Sequence, residues 1–166
     1  MYMNHLELMA FFSGYPLIYA VVRFISQPHK QSPFFGKMIF KLLPFAYALT
    51  GTLFLGFVLK NMSPDFNLKY LTDQYLRIWG LLAVVFWIPF FHKKTSYSFL
   101  HSLIFFFLLV RDLFISITFF TVNSRDIVQN DMKIYTGSLL LNAVTLFVVV
   151  TIYYVVYRLR IKKNFR

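Results

Sequence analysis

The sequence predicts an all-α integral membrane protein, a bundle of five transmembrane helices with its N-terminus outside and its C-terminus inside. Three observations lead to this prediction. Of the 166 residues, 58% are hydrophobic and only 14% are charged, and the mean hydropathy is +0.62. Soluble domains average about 25% charged residues. In addition, five apolar stretches are long enough to cross a bilayer, and most basic residues lie at one end of them.

A helix needs about 20 mainly apolar residues to cross the hydrocarbon core of a bilayer, which is about 30 Å thick. The predicted spans are 6–25, 38–59, 75–91, 99–122 and 135–157. The third is the shortest, and Pro89 breaks its hydrogen-bond ladder near one end. The spans leave only short tails and loops, so residues 1–166 are predicted to form a single transmembrane domain without a soluble domain.

The orientation follows from the distribution of charge. With five spans, one side of the membrane receives the first loop, the third loop and the C-terminal tail. The basic residues of that side are Arg23, Lys30, Lys37, Lys41, Lys93, Lys94, Arg158, Arg160, Lys162, Lys163 and Arg166. The other side has five basic and four acidic residues, namely Lys60, Lys69, Arg77, Arg125, Lys133, Asp65, Asp73, Asp126 and Asp131. Because Lys and Arg accumulate in cytoplasmic loops, the first side is predicted to be the inner one.

The net charge of +11 is therefore interpreted as topology and as contact with anionic lipids of the inner face rather than as nucleic-acid binding. The chain has no cysteine, which excludes disulfides, thiolate metal sites and cysteine nucleophiles. It has no zinc-protease, serine-hydrolase or phosphate-binding motif. We therefore expect no metal, no cofactor, no nucleic-acid partner and no enzymatic activity.

Two adjacent charged residues, Arg111 and Asp112, interrupt the fourth span. Thr121 lies near the outer end of the fourth span. At 1.5 Å per residue, Arg111 is predicted to lie about 15 Å from that end, close to the middle of the membrane. Charged residues near the bilayer centre are costly and often mark a functional site. Two interpretations stay open: a buried structural cluster, which is favoured, or an ion, proton or substrate site. The small number of polar residues in the spans argues against a transport path.

The fifth span offers polar partners on one helical face, at Ser138 and Asn142. If the fourth and fifth spans form an antiparallel hairpin, one register places Asp112 beside Asn142 and Ser116 beside Ser138. We therefore predict an intramembrane polar cluster of Arg111, Asp112, Ser116, Ser138 and Asn142. Polar contacts between membrane helices average about 0.6 kcal/mol, so such a cluster specifies packing more than it adds stability.

Two further features are weighed in the same way. Ala48, Thr52 and Gly56 follow one another at a spacing of four in the second span, with Gly51 beside them. Small residues at this spacing let helix backbones approach, so they are predicted to form a helix-packing face, within the chain or between two copies. Glu7 and Arg77 lie at the outer ends of their spans, where two solvated side chains are favoured over an ion pair.

Three stretches resemble a group of uncharacterised small polytopic bacterial membrane proteins. They are Leu43–Gly51 with Gly56–Lys60, Ile78–Pro89 and Leu100–Phe114. The similarity covers the second to fourth spans, about half of the chain. It implies a multi-pass protein of a bacterial inner membrane, and it implies no activity and no functional residue.

Two functions are consistent with these observations. The first, which is favoured, is a non-enzymatic subunit or accessory of a larger membrane assembly, bound to a protein partner or to further copies of itself. The alternative is a small oligomeric channel, pore-forming effector or transporter built around Arg111 and Asp112. The substrate, the partner and the oligomeric state do not follow from the sequence.

Overall fold

The computed structural model describes residues 6–26, 34–63, 75–118 and 124–164, and all regular secondary structure in these ranges is helical. The helices are α1 (Leu6–Phe12), α2 (Tyr15–Ile25), α3 (Phe34–Met62), α4 (Tyr75–Leu81), a 3₁₀ helix (Leu82–Trp87), α5 (Pro89–His92), α6 (Thr95–Thr118) and α7 (Ser124–Asn164). The predicted all-helical fold class is confirmed for this part of the chain.

Four stretches are long and apolar enough to cross a membrane: Leu6–Ile25, Gly36–Met62, Thr95–Ile115 and Val128–Arg160. They correspond to the first, second, fourth and fifth predicted spans, and they make the chain compatible with a multi-pass membrane protein. The predicted third span, 75–91, is not among these four. The structure has a shorter apolar helical segment there, Tyr75–Trp87. Pro89 has no N–H group and begins a separate turn, α5, after the extended residue Ile88.

The segment from Tyr75 to His92 lies antiparallel to α3. Ala83 packs against Gly51, the ring of Phe86 against that of Tyr47, and the ring of His92 against that of Phe45. A 3₁₀ helix rises about 2.0 Å per residue, more than the 1.5 Å of an α-helix. Gly80 meets Phe54 and His92 meets Phe45, so this part of the segment covers about 14 Å of α3.

Aromatic side chains from α1, α2, α3 and α6 fill the centre of the bundle. The ring of Phe12 stacks on that of Phe105 with centroids 4.9 Å apart, and the rings of Tyr15 and Tyr47 lie 4.4 Å apart. These rings and that of Phe54 are almost completely buried. The helices α1, α3 and α6 therefore share one core.

The last helix, α7, lies at the edge of this bundle. It has 41 residues and contacts α3, α1 and α6, but only 11% of its most apolar stretch is buried inside the chain, against 56% for α3. One face of α7 holds the buried residues Ser138, Asn142, Thr145 and Val149. The opposite face, which we call the open face, exposes Leu140, Val144, Phe147, Thr151 and Val155.

Candidate functional site

The first span is not one continuous helix. Ser13 and Gly14 form a turn between α1 and α2, and Pro16 lies in the first turn of α2, where its missing N–H group is tolerated. In an unbroken helix the carbonyl of Phe11 would accept a hydrogen bond from the N–H of Tyr15. A break inside a bilayer leaves such backbone groups without partners, and neighbouring helices must supply them.

The helix α7 supplies these partners. The backbone N–H of Gly14 donates to the hydroxyl oxygen of Ser138 at 3.0 Å, and the Asn142 amide Nδ2 donates to the carbonyl of Phe11 at 2.8 Å. Ser138 and Asn142 are one helical turn apart, so both side chains face the break, and both are buried. The break in the first span and the polar residues of the last helix thus form one unit.

Glycine is required at the centre of this contact. A Cβ atom at Gly14 would lie 2.5 Å from the backbone nitrogen of Leu139, a distance that real Cβ atoms essentially never show. The backbones of the first and last spans therefore touch at this point, as small residues allow in membrane helices.

The second span completes the contact. The hydroxyl oxygen of Thr50 lies 3.2 Å from Asn142 Oδ1 and 3.2 Å from the hydroxyl oxygen of Thr145. We call the set of Phe11, Gly14, Thr50, Ser138, Asn142 and Thr145 the three-helix junction. Its polar groups are neutral hydroxyls, amides and backbone groups, and they hydrogen-bond to one another across α1, α3 and α7. This chemistry suits the fixing of helices against each other rather than proton transfer.

Only part of the predicted polar cluster is found. Ser138 and Asn142 are together, as predicted, but they contact the first and second spans and not Asp112 as the predicted register requires. The ring of Phe106 lies next to that of Tyr135, and α7 begins at Ser124, soon after α6 ends at Thr118. This ring contact differs from the predicted register by about 13 residues, and α7 starts eleven residues earlier than the predicted fifth span.

Arg111 and Asp112 point to different surroundings. Asp112 is buried, whereas Arg111 is exposed among Ile104, Phe107 and Phe114 on the outer surface of α6. The side chain of Ser116 lies outside the described residues. Neighbouring positions on a helix point about 100° apart, so separate environments for the two charges are expected.

Ring contacts show which part of the first span lies level with Asp112. The ring pairs Tyr19–Phe99 and Phe12–Phe105 define an antiparallel register between the first span and α6. This register places Asp112 level with the beginning of α1, near Glu7.

Glu7 and Arg77 form an ion pair, contrary to the preference for two solvated side chains. Arg77 Nη2 lies 3.5 Å from Glu7 Oε2, and the Arg77 side chain is only 10% exposed. The close approach of Gly80 to Leu8, where a Cβ atom would lie 2.7 Å from Cδ2, brings the two charged side chains together. This packing was not predictable from their position near the interface.

The three residues predicted to form a packing face in the second span have different surroundings. Ala48 is fully buried. Thr52 is exposed and accepts a hydrogen bond from the indole N–H of Trp87 at 2.9 Å, and no described residue lies within 4 Å of a Cβ atom placed at Gly56. The close approach occurs at the neighbouring Gly51, where a Cβ atom would lie 2.7 Å from that of Ala83.

A second buried group of polar atoms was not predicted. The hydroxyl of Tyr47 lies 2.7 Å from His101 Nδ1, and the imidazole stacks on the indole of Trp79 with centroids 4.7 Å apart. The Trp79 N–H donates to the backbone carbonyl of His101 at 3.3 Å. These residues come from three helices with no common spacing in sequence, so only the fold brings them together. Aromatic rings close this site on most sides, which favours a packing role.

Within the described ranges, no three His, Asp or Glu side chains are grouped so as to hold a metal ion. Comparison of the chain with protein families, with curated proteins and with solved structures finds no match. The function is therefore argued from the geometry alone.

Proposed function

We propose that the chain crosses the membrane five times and serves as a non-enzymatic subunit of a membrane assembly, docking a partner helix across Gly56 and Gly137. The contacts of Tyr75–His92 with α3 support a crossing by this segment, which makes five in all, because the segment runs antiparallel to α3 toward the end at which α3 begins. The basic residues then lie mainly at the end that carries the C-terminus, which supports a C-terminus inside and an N-terminus outside.

The observation that carries the docking proposal is a contrast among the glycines. A helical glycine destabilises a helix by about 0.5–1 kcal/mol relative to alanine. Inside the chain, Gly14, Gly51 and Gly80 each meet another residue at less than 3 Å from an added Cβ atom, which explains the absence of a side chain. An added Cβ atom at Gly56 or Gly137 would meet none of the described residues within 4 Å. A close approach by another molecule would explain these two.

The two unexplained glycines lie side by side. Thr50 contacts Asn142, and Val149 packs with Ala46 and Leu42, which makes α3 and α7 antiparallel neighbours. Gly56 is six residues after Thr50 in α3, and Gly137 is five residues before Asn142 in α7. The two glycines therefore share one depth on adjacent helices, and small residues on neighbouring helices are the surface against which membrane helices pack closely.

The two glycines also face the same side of the α3–α7 pair. Gly56 is one helical turn beyond Thr52, which bonds Trp87, and Gly137 is about four turns before Ile152, which lines a groove with Trp87. The open face of α7, with Val144 and Leu140, continues from Gly137 along this side. We call Gly56, Gly137, Leu140 and Val144 the docking surface.

The decisive experiment replaces Gly137 by leucine. Native membranes are extracted with a polymer that keeps protein and lipid together, and the mass of the complex is measured. We expect wild type to run with a partner, a second copy included, and Gly137→Leu to run without it. Ala143→Leu is the matched control, because Ala143 is also exposed on α7 but lies outside the docking surface.

A wild-type chain that runs alone, or a Gly137→Leu variant that keeps its partner, would contradict the docking proposal. Ion flux through vesicles that contain this chain alone would contradict the subunit proposal and favour a pore. The crossing number has its own test: a reporter fused after Arg166 is expected inside and one inserted near Asp126 outside, whereas the same side for both would remove the last crossing.

A further inference from the structure

A cavity of about 380 Å³ opens at the end of the bundle where α5 meets α6, beside α3 and α7. Among the described residues, its polar lining consists of Lys41, His92, Lys93, Thr95 and Tyr153, none of which is acidic. Arg23, Lys37, Lys94, Arg158 and Arg160 are further basic residues among the described ones near this end of the helices. A cavity with two lysines, a histidine and hydroxyls suits a phosphate group, to which such donors hydrogen-bond.

The donors differ in what they already contact. The ammonium group of Lys94 lies 3.2 Å from the Tyr97 hydroxyl and 5.3 Å from the centre of its ring, whereas the adjacent Lys93 lines the cavity. The ring of His92 packs against Phe45 at 4.3 Å, and its Nδ1 atom is buried without a hydrogen bond to any described residue. A buried ring nitrogen without a partner is costly, and a ligand oxygen would accept a hydrogen bond from Nδ1 in the tautomer that carries its proton there.

The cavity continues into an apolar groove of about 260 Å³ between α3 and α7. Leu42, Phe45 and Tyr153 line both, and beyond them the groove is lined by Trp87, Val149, Ile152 and Val156. Val149 is one helical turn from Tyr153, so the groove leads from the basic end toward the middle of the bundle. A cationic cavity joined to an apolar groove matches an amphipathic anion.

We propose that this site binds one anionic phospholipid, with the phosphate held by Lys41, Lys93 and His92 and an acyl chain lying along Phe45 and Val149. The inference rests on the membrane crossing proposed above, which places the basic end at the inner leaflet. It does not depend on the docked partner, because Gly56 and Gly137 lie farther along α3 and α7, toward the other end of the bundle. The lipid would fill a surface gap between α3 and α7 and hold α5 against them.

The test uses the full chain purified alone and counts retained lipids by native mass spectrometry. The probes are phosphatidylglycerol, phosphatidylcholine with the same acyl chains, and inorganic phosphate. We expect one tightly held phosphatidylglycerol. Near an anionic lipid each basic residue contributes about fivefold in affinity, so the double variant Lys41→Gln with Lys93→Gln should bind about 30-fold more weakly at low salt. Lys94→Gln removes the same charge from the neighbouring position and should bind as wild type.

A second variant tests whether the site binds a phospholipid or a soluble anion. Ile152→Trp fills the groove without touching the lysines, so it should weaken phosphatidylglycerol binding while leaving the charge unchanged. Equal retention of phosphatidylcholine, equal loss in Lys94→Gln, or displacement by inorganic phosphate with no effect of Ile152→Trp would overturn the proposal. Thermal unfolding checks the variants: phosphatidylglycerol should raise the Tm of wild type and of Lys94→Gln, but not that of the double variant.

Discussion

The two faces of α7 meet opposite surroundings. The face that takes part in the three-helix junction, which we call the junction face, is buried. Its Ser138 and Asn142 form hydrogen bonds with the backbone groups left without partners by the break in the first span. The open face exposes Val144 and Phe147 and contributes little to the packing of this chain. In a bilayer, apolar side chains gain nothing from burial against other apolar side chains, so close backbone contact and polar contact hold helices together. The junction face makes close backbone contact and polar contact with other helices of the chain. The open face makes neither kind of contact with another described helix.

The largest expected effect is on the junction face. Gly14→Ala places a methyl group 2.5 Å from the backbone nitrogen of Leu139, and neither helix can move without breaking the junction. We expect a loss of about 3 kcal/mol in the free energy of unfolding, measured by denaturation in mixed micelles. Gly137→Ala is the control on the other side of α7, since an added Cβ atom there meets no described residue within 4 Å. Equal losses in the two variants would remove the distinction between the faces.

A smaller effect is expected at the amide that bridges the junction. Asn142→Ala leaves the carbonyl of Phe11 without its hydrogen bond and removes the contact with Thr50. We expect a loss of about 1–2 kcal/mol in the same assay. Val144→Ala, two residues away on the open face, should change the stability of the isolated chain very little. If Val144→Ala lowers the free energy of unfolding as much as Asn142→Ala, the open face must be packed against other residues of the same chain.

The smallest effect concerns two hydroxyls of the same helix. The Ser138 hydroxyl accepts the N–H of Gly14, whereas the Thr151 hydroxyl donates to the carbonyl of Phe147 in its own helix. Ser138→Ala should lower the free energy of unfolding by about 0.6 kcal/mol, the average for contacts between membrane helices. Thr151→Ala should leave it unchanged. A loss that is larger for Thr151→Ala would contradict the assignment of the two faces.

The sequence predicts much of this molecule because apolar length and small-residue spacing are local properties. The helical fold and four long apolar stretches follow from such patterns, and so does the pairing of Ser138 with Asn142 on one face. The residues that Ser138 and Asn142 contact on other helices could not be predicted from the sequence. The break at Gly14 depends on contact with Leu139, and the register of α6 with α7 depends on a connection that is shorter than the apolar pattern indicates.

Long-range packing also explains the errors at charged residues. The burial of Arg77 against Glu7 results from the approach of Gly80 to Leu8, and neither spacing nor hydropathy encodes that approach. The site at Lys41, His92 and Lys93 combines residues from two segments that are about 50 positions apart in the sequence. Only their common charge sign was visible beforehand, as a general preference for anionic lipids.

The docking surface is the central claim, and cross-linking in native membranes tests it most directly. A photoreactive amino acid is placed at Leu140, at Val144 and, as a control on the exposed surface of α6, at Phe107. We expect the same adduct from positions 140 and 144, identified by its peptides as one partner or as a second copy of the chain, and none from position 107. Lipid adducts alone at all three positions, or the same protein adduct from all three, would contradict the account.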